Sequence, residues 1–237
     1  MEEQCDLFLK VLTKFHSSGV LDNVILIGSW STYFYKDYFS AQNYYPTIKT
    51  TDMYFLVPLP IKTKKKVDIA ELLRPDDFKV IFSNSGFIQL ENPGLTIEFL
   101  VPERGKGTEG PFILPQFGIS AQPLRMLDIL AQNTILVESK GIKVSVPHPA
   151  AYGLHKLIVS QRRTSKEKML KDRESGMSVL RALIEKGESD TIKTMFNNML
   201  PAWREKVLDA LTKYDEQDVM RVLKQNENIK RHRGRHL

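Results

Sequence analysis

Three short stretches of this 237-residue sequence carry residue types that can hold a phosphate and a divalent cation. The first is Ile27-Gly28-Ser29, at the end of an apolar run and ahead of an aromatic segment. Glycine there lets backbone amides come close to a phosphate, the serine hydroxyl adds a donor, and a following helix start adds partial positive charge. The second is Thr51-Asp52-Met53-Tyr54-Phe55-Leu56-Val57, an acid at the mouth of an apolar strand. Strand side chains alternate, so Asp52 and Tyr54 point to the same side. The third is Thr96-Ile97-Glu98-Phe99-Leu100-Val101-Pro102, where Glu98 interrupts an apolar strand. A buried carboxylate is costly unless it is paired or holds a metal. Two of them also have a plainer reading: the Gly-Ser stretch as a simple turn, and Glu98 as a residue paired with a lysine or lying on an exposed face.

A fourth stretch spans 148–172. On a helix over 150–163, Leu154, Leu157, Ile158 and Gln161 share one face. Lys156, Ser160 and Arg163 share the opposite face, and Lys171 and Asp172 follow on the next helix. Read from spacing alone, this group could be a solvated basic face.

The elements that must position these residues follow from periodicity. Residues 3–17 have helical spacing, with Leu7, Val11, Leu12 and Phe15 on one face and Gly19 as the stop. Residues 23–28 read as a short buried strand, 30–39 as a helix, 40–50 as a loop and 53–57 as a second strand. A basic loop at 62–66 precedes a short helix at 67–74. Three strands follow at 79–82, 86–91 and 95–101, separated by Asn-Ser-Gly and Asn-Pro-Gly turns. Residues 103–110 read as a flexible loop, 124–132 as a helix, and 134–138 with 142–147 as a hairpin. From His148 onward the pattern is helical, punctuated at Gly187 and Pro201. The order predicts an α+β chain: a mixed-sheet core over residues 1–147 flanked by helices, then a helical region over 148–237.

Bulk properties fit that plan. The chain is 42% hydrophobic and 26% charged, as ordinary globular proteins are. Its apolar runs are too short to cross a bilayer, and acids occupy the N-terminus where a signal peptide needs bases. With a single cysteine, Cys5, the expectation is a cytoplasmic protein with no membrane partner. The net charge of +6 is unevenly spread. Residues 156–173 carry +5, and the tail adds Lys230, Arg231, Arg233 and Arg235. Such a distribution suits a polyanion such as a nucleotide or RNA.

Other chemistries lack their residues. His148 and His155 have no further ligands for a zinc site. The glycines around Lys106 lack the Gly-Lys-Ser/Thr ending of a Walker loop, and no Gly-x-Ser-x-Gly elbow occurs. Trp30, Tyr33, Phe34 and Tyr35 could stack a base, but core packing explains most of them.

Taken together, the first three stretches resemble the nucleotidyltransferase superfamily, whose pattern is a strand ending in Gly-Gly or Gly-Ser, an Asp-x-Asp pair, and a third carboxylate on a later strand. The segments IGSWSTYFY, TTDMYFLVP, IEFLVPERG, AQPLRMLDIL and VPHPAAYGLHKLIVSQRR resemble a group of uncharacterised bacterial nucleotidyltransferase-like proteins, over about residues 23 to 185. The resemblance implies Mg²⁺ (or Mn²⁺) held by Asp52 and Glu98, with Gly28 and Ser29 on the outer phosphates of a nucleoside triphosphate. It implies in-line transfer of a nucleoside monophosphate to a hydroxyl of a small molecule, protein or RNA, with Glu98 as base. The sequence departs from the pattern at Tyr54, which stands where the second acid of the pair belongs. The alternative is therefore a degenerate member that binds nucleotide or RNA with little catalysis. The fourth stretch is distantly similar to abortive-infection type toxins. That similarity implies nucleotide binding by Lys156, Arg163, Lys171 and Asp172, and extends to a toxin acting on tRNA.

Overall fold

Apolar residues fill alternate positions over 52–56 and 95–99, and the two segments lie side by side as parallel strands. In the computed structural model they form the middle of a mixed sheet. The structure describes residues 2–224 apart from 43, 47, 49, 84, 85, 104, 106, 108 and 109. The basic tail, part of the 79–91 hairpin turn and much of the 103–110 loop thus lie outside the described residues.

The elements run α1 (Glu2–Ser18), β1 (Ile25–Ile27), α2 (Thr32–Tyr38), β2 (Asp52–Leu56), α3 (Ile69–Leu73), β3 (Lys79–Phe82), β4 (Ile88–Asn92) and β5 (Leu95–Pro102). Then come β6 (Phe112–Leu114), β7 (Ile119–Leu124), α4 (Asp128–Gln132), β8 (Thr134–Ser139) and β9 (Ile142–Pro147). Five helices close the described chain: α5 (Pro149–Ser160), α6 (Lys166–Glu185), α7 (Ser189–Asn197), α8 (Pro201–Lys213) and α9 (Gln217–Lys224). The fold is α+β, with a mixed sheet and flanking helices.

The sheet order is β1-β2-β5-β4-β3, with β7 pairing β5 and β6 pairing β7. The β2–β5 and β5–β7 pairs are parallel; the others in this sheet are antiparallel. β8 and β9 form a separate antiparallel hairpin. One face of the sheet buries Met53, Phe55, Ile97 and Phe99. Phe55 and Phe99 stack with centroids 5.5 Å apart, and Phe15 of α1 packs on both. Val11 and Leu12 of α1 are buried as their spacing requires, because burying an apolar stripe is what holds a short amphipathic helix in place.

The chain forms two compact units: residues 1–34 with 47–147, and residues 35–46 with 148–237. Residues 35–46, expected with the first stretch, group with the second unit. There, Tyr35 meets Tyr152 edge-on at 5.5 Å.

Two segments differ from the expectation. Residues 112–124 contain strands β6 and β7, which their sequence hides. Pro111, Pro115 and Pro123 break the alternation, and Pro123 still finds a register partner in Val101 of β5. The helix expected over 124–132 is only Asp128–Gln132. Leu124 ends β7, and Met126 takes a left-handed φ of 69°, which a helix cannot contain.

Candidate active site

β2 and β5 run parallel in a register that pairs Asp52 with Thr96 and Tyr54 with Glu98. Register partners share a face, so Asp52, Tyr54, Thr96 and Glu98 stand together on the side opposite the phenylalanine layer. All four are half-buried. Asp52 opens its strand: its N–H donates to Thr50 Oγ1 at 3.1 Å, and that hydroxyl donates to Asp52 Oδ2 at 3.3 Å. Glu98 Oε1 accepts from Gln89 Nε2 of β4 at 2.8 Å. Burial pushes the Glu98 carboxyl above its ordinary value, the negative charges of Asp52 and Glu91 push the same way, and the Gln89 amide opposes them.

Gly28 lies beside this face. Its φ of 76° suits glycine, and a Cβ there would sit 3.2 Å from Cδ2 of the Tyr54 ring. The turn and the Tyr54 side chain therefore pack against each other. Ser29 begins a 3-10 turn over Ser29–Ser31, whose N-cap is Gly28. The Ser31 hydroxyl donates to the Gly28 carbonyl at 2.7 Å, and the Thr32 hydroxyl donates to the Ser29 carbonyl at 2.6 Å. These bonds fix the turn's carbonyls and leave its shape set by its own side chains.

The fourth group lies in the second unit. Asp172 of α6 accepts from Lys156 Nζ of α5 at 2.5 Å and from Arg163 Nε at 2.6 Å, one on each carboxylate oxygen. The Asp172 side chain is 6% exposed, Lys156 12% and Arg163 42%. Burial alone would raise the Asp172 carboxyl, but the two cations hold it below its ordinary value. Glycines make the approach possible: a Cβ on Gly176 would sit 2.8 Å from Lys156 Cβ, and one on Gly153 would sit 2.6 Å from Leu180 Cγ. Lys171, one residue before Asp172, is half-buried. A solvated face does not describe this side of α5. Ser160, grouped by spacing with Lys156, is fully buried and donates to the Leu157 carbonyl at 2.8 Å. The helix also ends at Ser160 rather than at 163, because Ser165 caps α6 and the connecting residues must turn. Arg163 thus reaches Asp172 from the connection, not from α5. His148 is the N-cap of α5, its Nδ1 accepting from Ala150 N–H at 3.1 Å, which is a structural use for that histidine.

A family whose sequence model is described as Nucleotidyltransferase matches residues 7–201. The chain belongs to this nucleotidyltransferase family. Among solved structures it is similar to an antigenic nucleotidyltransferase-like protein from Paracoccidioides brasiliensis, at 16% identity and TM-score 0.47, covering 90% of this chain and 92% of that one. It is also similar to ANT(2")-Ia in complex with adenylyl-2"-tobramycin, at 10% identity and TM-score 0.46, covering 90% of this chain and 99% of that one. No curated protein sequence matches it.

For this nucleotidyltransferase, the donor set on the sheet face decides what cation it could take. Asp52 and Glu98 offer hard oxygen ligands, and Glu98 takes its hydrogen bond from the neutral Gln89 amide. Tyr54 offers a phenol, a poorer ligand for a hard cation than a carboxylate. Among the described residues, no group of three or more His, Cys, Asp or Glu side chains is placed to hold a metal. Two carboxylates fit one divalent cation whose remaining ligands come from phosphate oxygens and water. No helix among the described residues is long and apolar enough to cross a membrane.

Gln89 escaped the sequence reading, and so did Thr50. The signal for Gln89 was present. Ile88-Gln89-Leu90-Glu91 alternates, and the register Gln89↔Glu98 puts its polar side on the Glu98 face.

Proposed function

We propose that this nucleotidyltransferase moves a nucleoside monophosphate from a nucleoside triphosphate to a hydroxyl acceptor on a small molecule, protein or RNA. One observation carries the reading: Asp52 and Glu98 share a face of adjacent, in-register strands, beside the Gly28-Ser29 turn. Asp52 and Glu98 would hold one Mg²⁺ or Mn²⁺, which when bound offsets phosphate charge and polarises the reacting oxygens. Gly28 and Ser29 hold the outer phosphates through backbone amides and the Ser29 hydroxyl. Glu98 takes the proton of the acceptor hydroxyl as its oxygen bonds to the α-phosphorus. The bond from that phosphorus to the bridging oxygen breaks, and pyrophosphate leaves. The second unit, taken by itself, offers positive charge from Lys156, Arg163 and Lys171 to a phosphate group, and Asp172 orients Lys156 and Arg163.

Tyr54 supports a second reading: a protein that binds nucleotide or RNA and turns over little. Its phenol stands in register with Glu98 where the family pattern has an acid. One experiment separates the two. The protein is incubated with each labelled nucleoside triphosphate, Mg²⁺ or Mn²⁺, and a cell extract, with Asp52→Asn as control. The enzyme reading expects label in an acceptor and pyrophosphate release, both absent with the variant. Nucleotide binding with no labelled product from any triphosphate establishes the second reading instead.

A further inference from the structure

We infer that Gln89 is a positioning residue for this reaction: its side-chain amide holds Oε1 of Glu98 and so presents Oε2 to the cation and the acceptor. The inference rests on the proposed role of Glu98. It is carried by the 2.8 Å bond from Gln89 Nε2 to Glu98 Oε1 and by the cross-strand register that sets the two residues opposite each other on β4 and β5. A glutamate on a strand turns freely about its last torsion unless a neighbour fixes it. Here the neighbour is held by backbone pairing on an antiparallel ladder, so the donor's position is set by the sheet rather than by a loop.

The choice of residue type matters. A lysine or arginine at 89 would neutralise Glu98, as Lys156 and Arg163 neutralise Asp172. An amide donates a hydrogen bond without competing for the charge that a cation needs. Neutral hydrogen-bond partners of metal-binding carboxylates orient them, and their loss typically weakens metal binding about 10–100-fold. Glu91, two residues along β4, pairs in register with Thr96 and adds no donor to Glu98. Gln89 is therefore the side chain on β4 that can do this.

The test measures Mn²⁺ affinity by electron paramagnetic resonance, with a non-hydrolysable nucleoside triphosphate analogue present. The proteins are the full-length wild type, Glu98→Gln, Gln89→Met, Gln89→Ser, and Gln89→Met combined with Glu98→Gln. Met keeps the length and removes the donor. Ser keeps polarity and falls short of Glu98, so either variant serves if the other misfolds. The inference expects about tenfold weaker Mn²⁺ binding in each folded Gln89 variant, and no further loss when Gln89→Met is added to Glu98→Gln. Gln89→His, which keeps an N–H donor, is expected to recover most of the affinity. If Glu98→Gln binds Mn²⁺ like wild type, the reading of Glu98 itself fails. If Glu98→Gln weakens binding while folded Gln89 variants do not, only the inference is overturned. Equal losses from Gln89→Met in both backgrounds overturn it too, since they assign Gln89 to general packing.

Discussion

The two acidic clusters of this molecule are built in opposite ways. On the sheet face, Glu98 has the like charges of Asp52 and Glu91 near it and a neutral amide as its hydrogen-bond partner. In the helical unit, Asp172 has a cation on each oxygen. The first carboxylate is held above its ordinary value and the second below it. A charge already matched within the protein contributes to the fold, whereas an unmatched one makes the fold slightly worse and a bound cation better. The contrast fits the proposed ligand chemistry on the sheet face and a structural part for Asp172. Lys156 is engaged by Asp172, so any phosphate it met would meet the whole triad.

The largest expected effect is on turnover. Glu98→Gln keeps shape and the Gln89 contact while removing the proposed base and cation ligand. General-base contributions are about 10²–10⁴-fold, and a loss in that range is expected in kcat for labelled product. Full activity in the variant would place the chemistry elsewhere and erase the contrast between the clusters.

Next in size is stability, where the clusters should respond with opposite sign. Asp172→Asn leaves Lys156 nearly buried and without its counter-charge. Breaking a buried pair costs about 3–5 kcal/mol, and the exposure of Arg163 argues for about 3 kcal/mol here. Urea unfolding of the second unit measures it. Glu98→Gln, by contrast, should leave the cation-free protein as stable as wild type or more so. Comparable destabilisation by both variants would mean that Glu98 is as structural as Asp172.

The pH dependence sharpens the same point. Glu98 has an ordinary value of 4.5 that the fold raises, so the folded state binds its proton more tightly. That stabilisation is fully present below 4.5 and is lost as pH rises through the higher folded value. Asp172 has an ordinary value of 3.8 that the fold lowers; its contribution is present above 3.8 and is lost as pH falls through the folded value. Between pH 4.5 and 7, thermal unfolding of cation-free wild type should therefore contain a declining component that Glu98→Gln lacks. Saturating Mg²⁺ with a triphosphate analogue should suppress it. A slope that survives in Glu98→Gln belongs to another group.

The sequence showed these clusters to different depths. β2 and β5 were readable as strands because of their alternation, which put Asp52 and Tyr54 on one side; Glu98 joins that face through the β2–β5 register. The prolines of 111–123 hid β6 and β7, since a strand carrying Pro123 exists only because β5 lies beside it. Lys156 and Arg163 looked like one helical face, yet a capped turn separates them, and Asp172 rather than helix geometry brings them together. Gln89 was only half legible for a related reason: its alternation was readable, but its cross-strand partner depends on a hairpin register that turn geometry sets and local spacing does not reveal. The grouping of 35–46 with the helical unit is a tertiary fact with no local signature.

The smallest expected effect probes Tyr54, where the two ways of building a carboxylate cluster meet. Residue 54 shares its face with Asp52 and stands in register with Glu98, so an acid there would join the unmatched charges. Without a cation, Tyr54→Asp adds a further like charge and removes the ring that packs on Gly28, and both changes lower stability. With a cation, each added carboxylate raises affinity for a hard divalent ion. A tenfold gain in affinity, at a cation concentration well above both dissociation constants, adds about 1.4 kcal/mol of stabilisation. A thermal-shift titration with Mg²⁺ and a triphosphate analogue compares the two proteins. The variant should begin lower and rise more steeply, and any new turnover would show that the phenol alone limited the site. Equal cation-dependent gains in both proteins would mean that residue 54 faces the Gly28 turn but not the ion, and the cation would then rest on Asp52 and Glu98 alone.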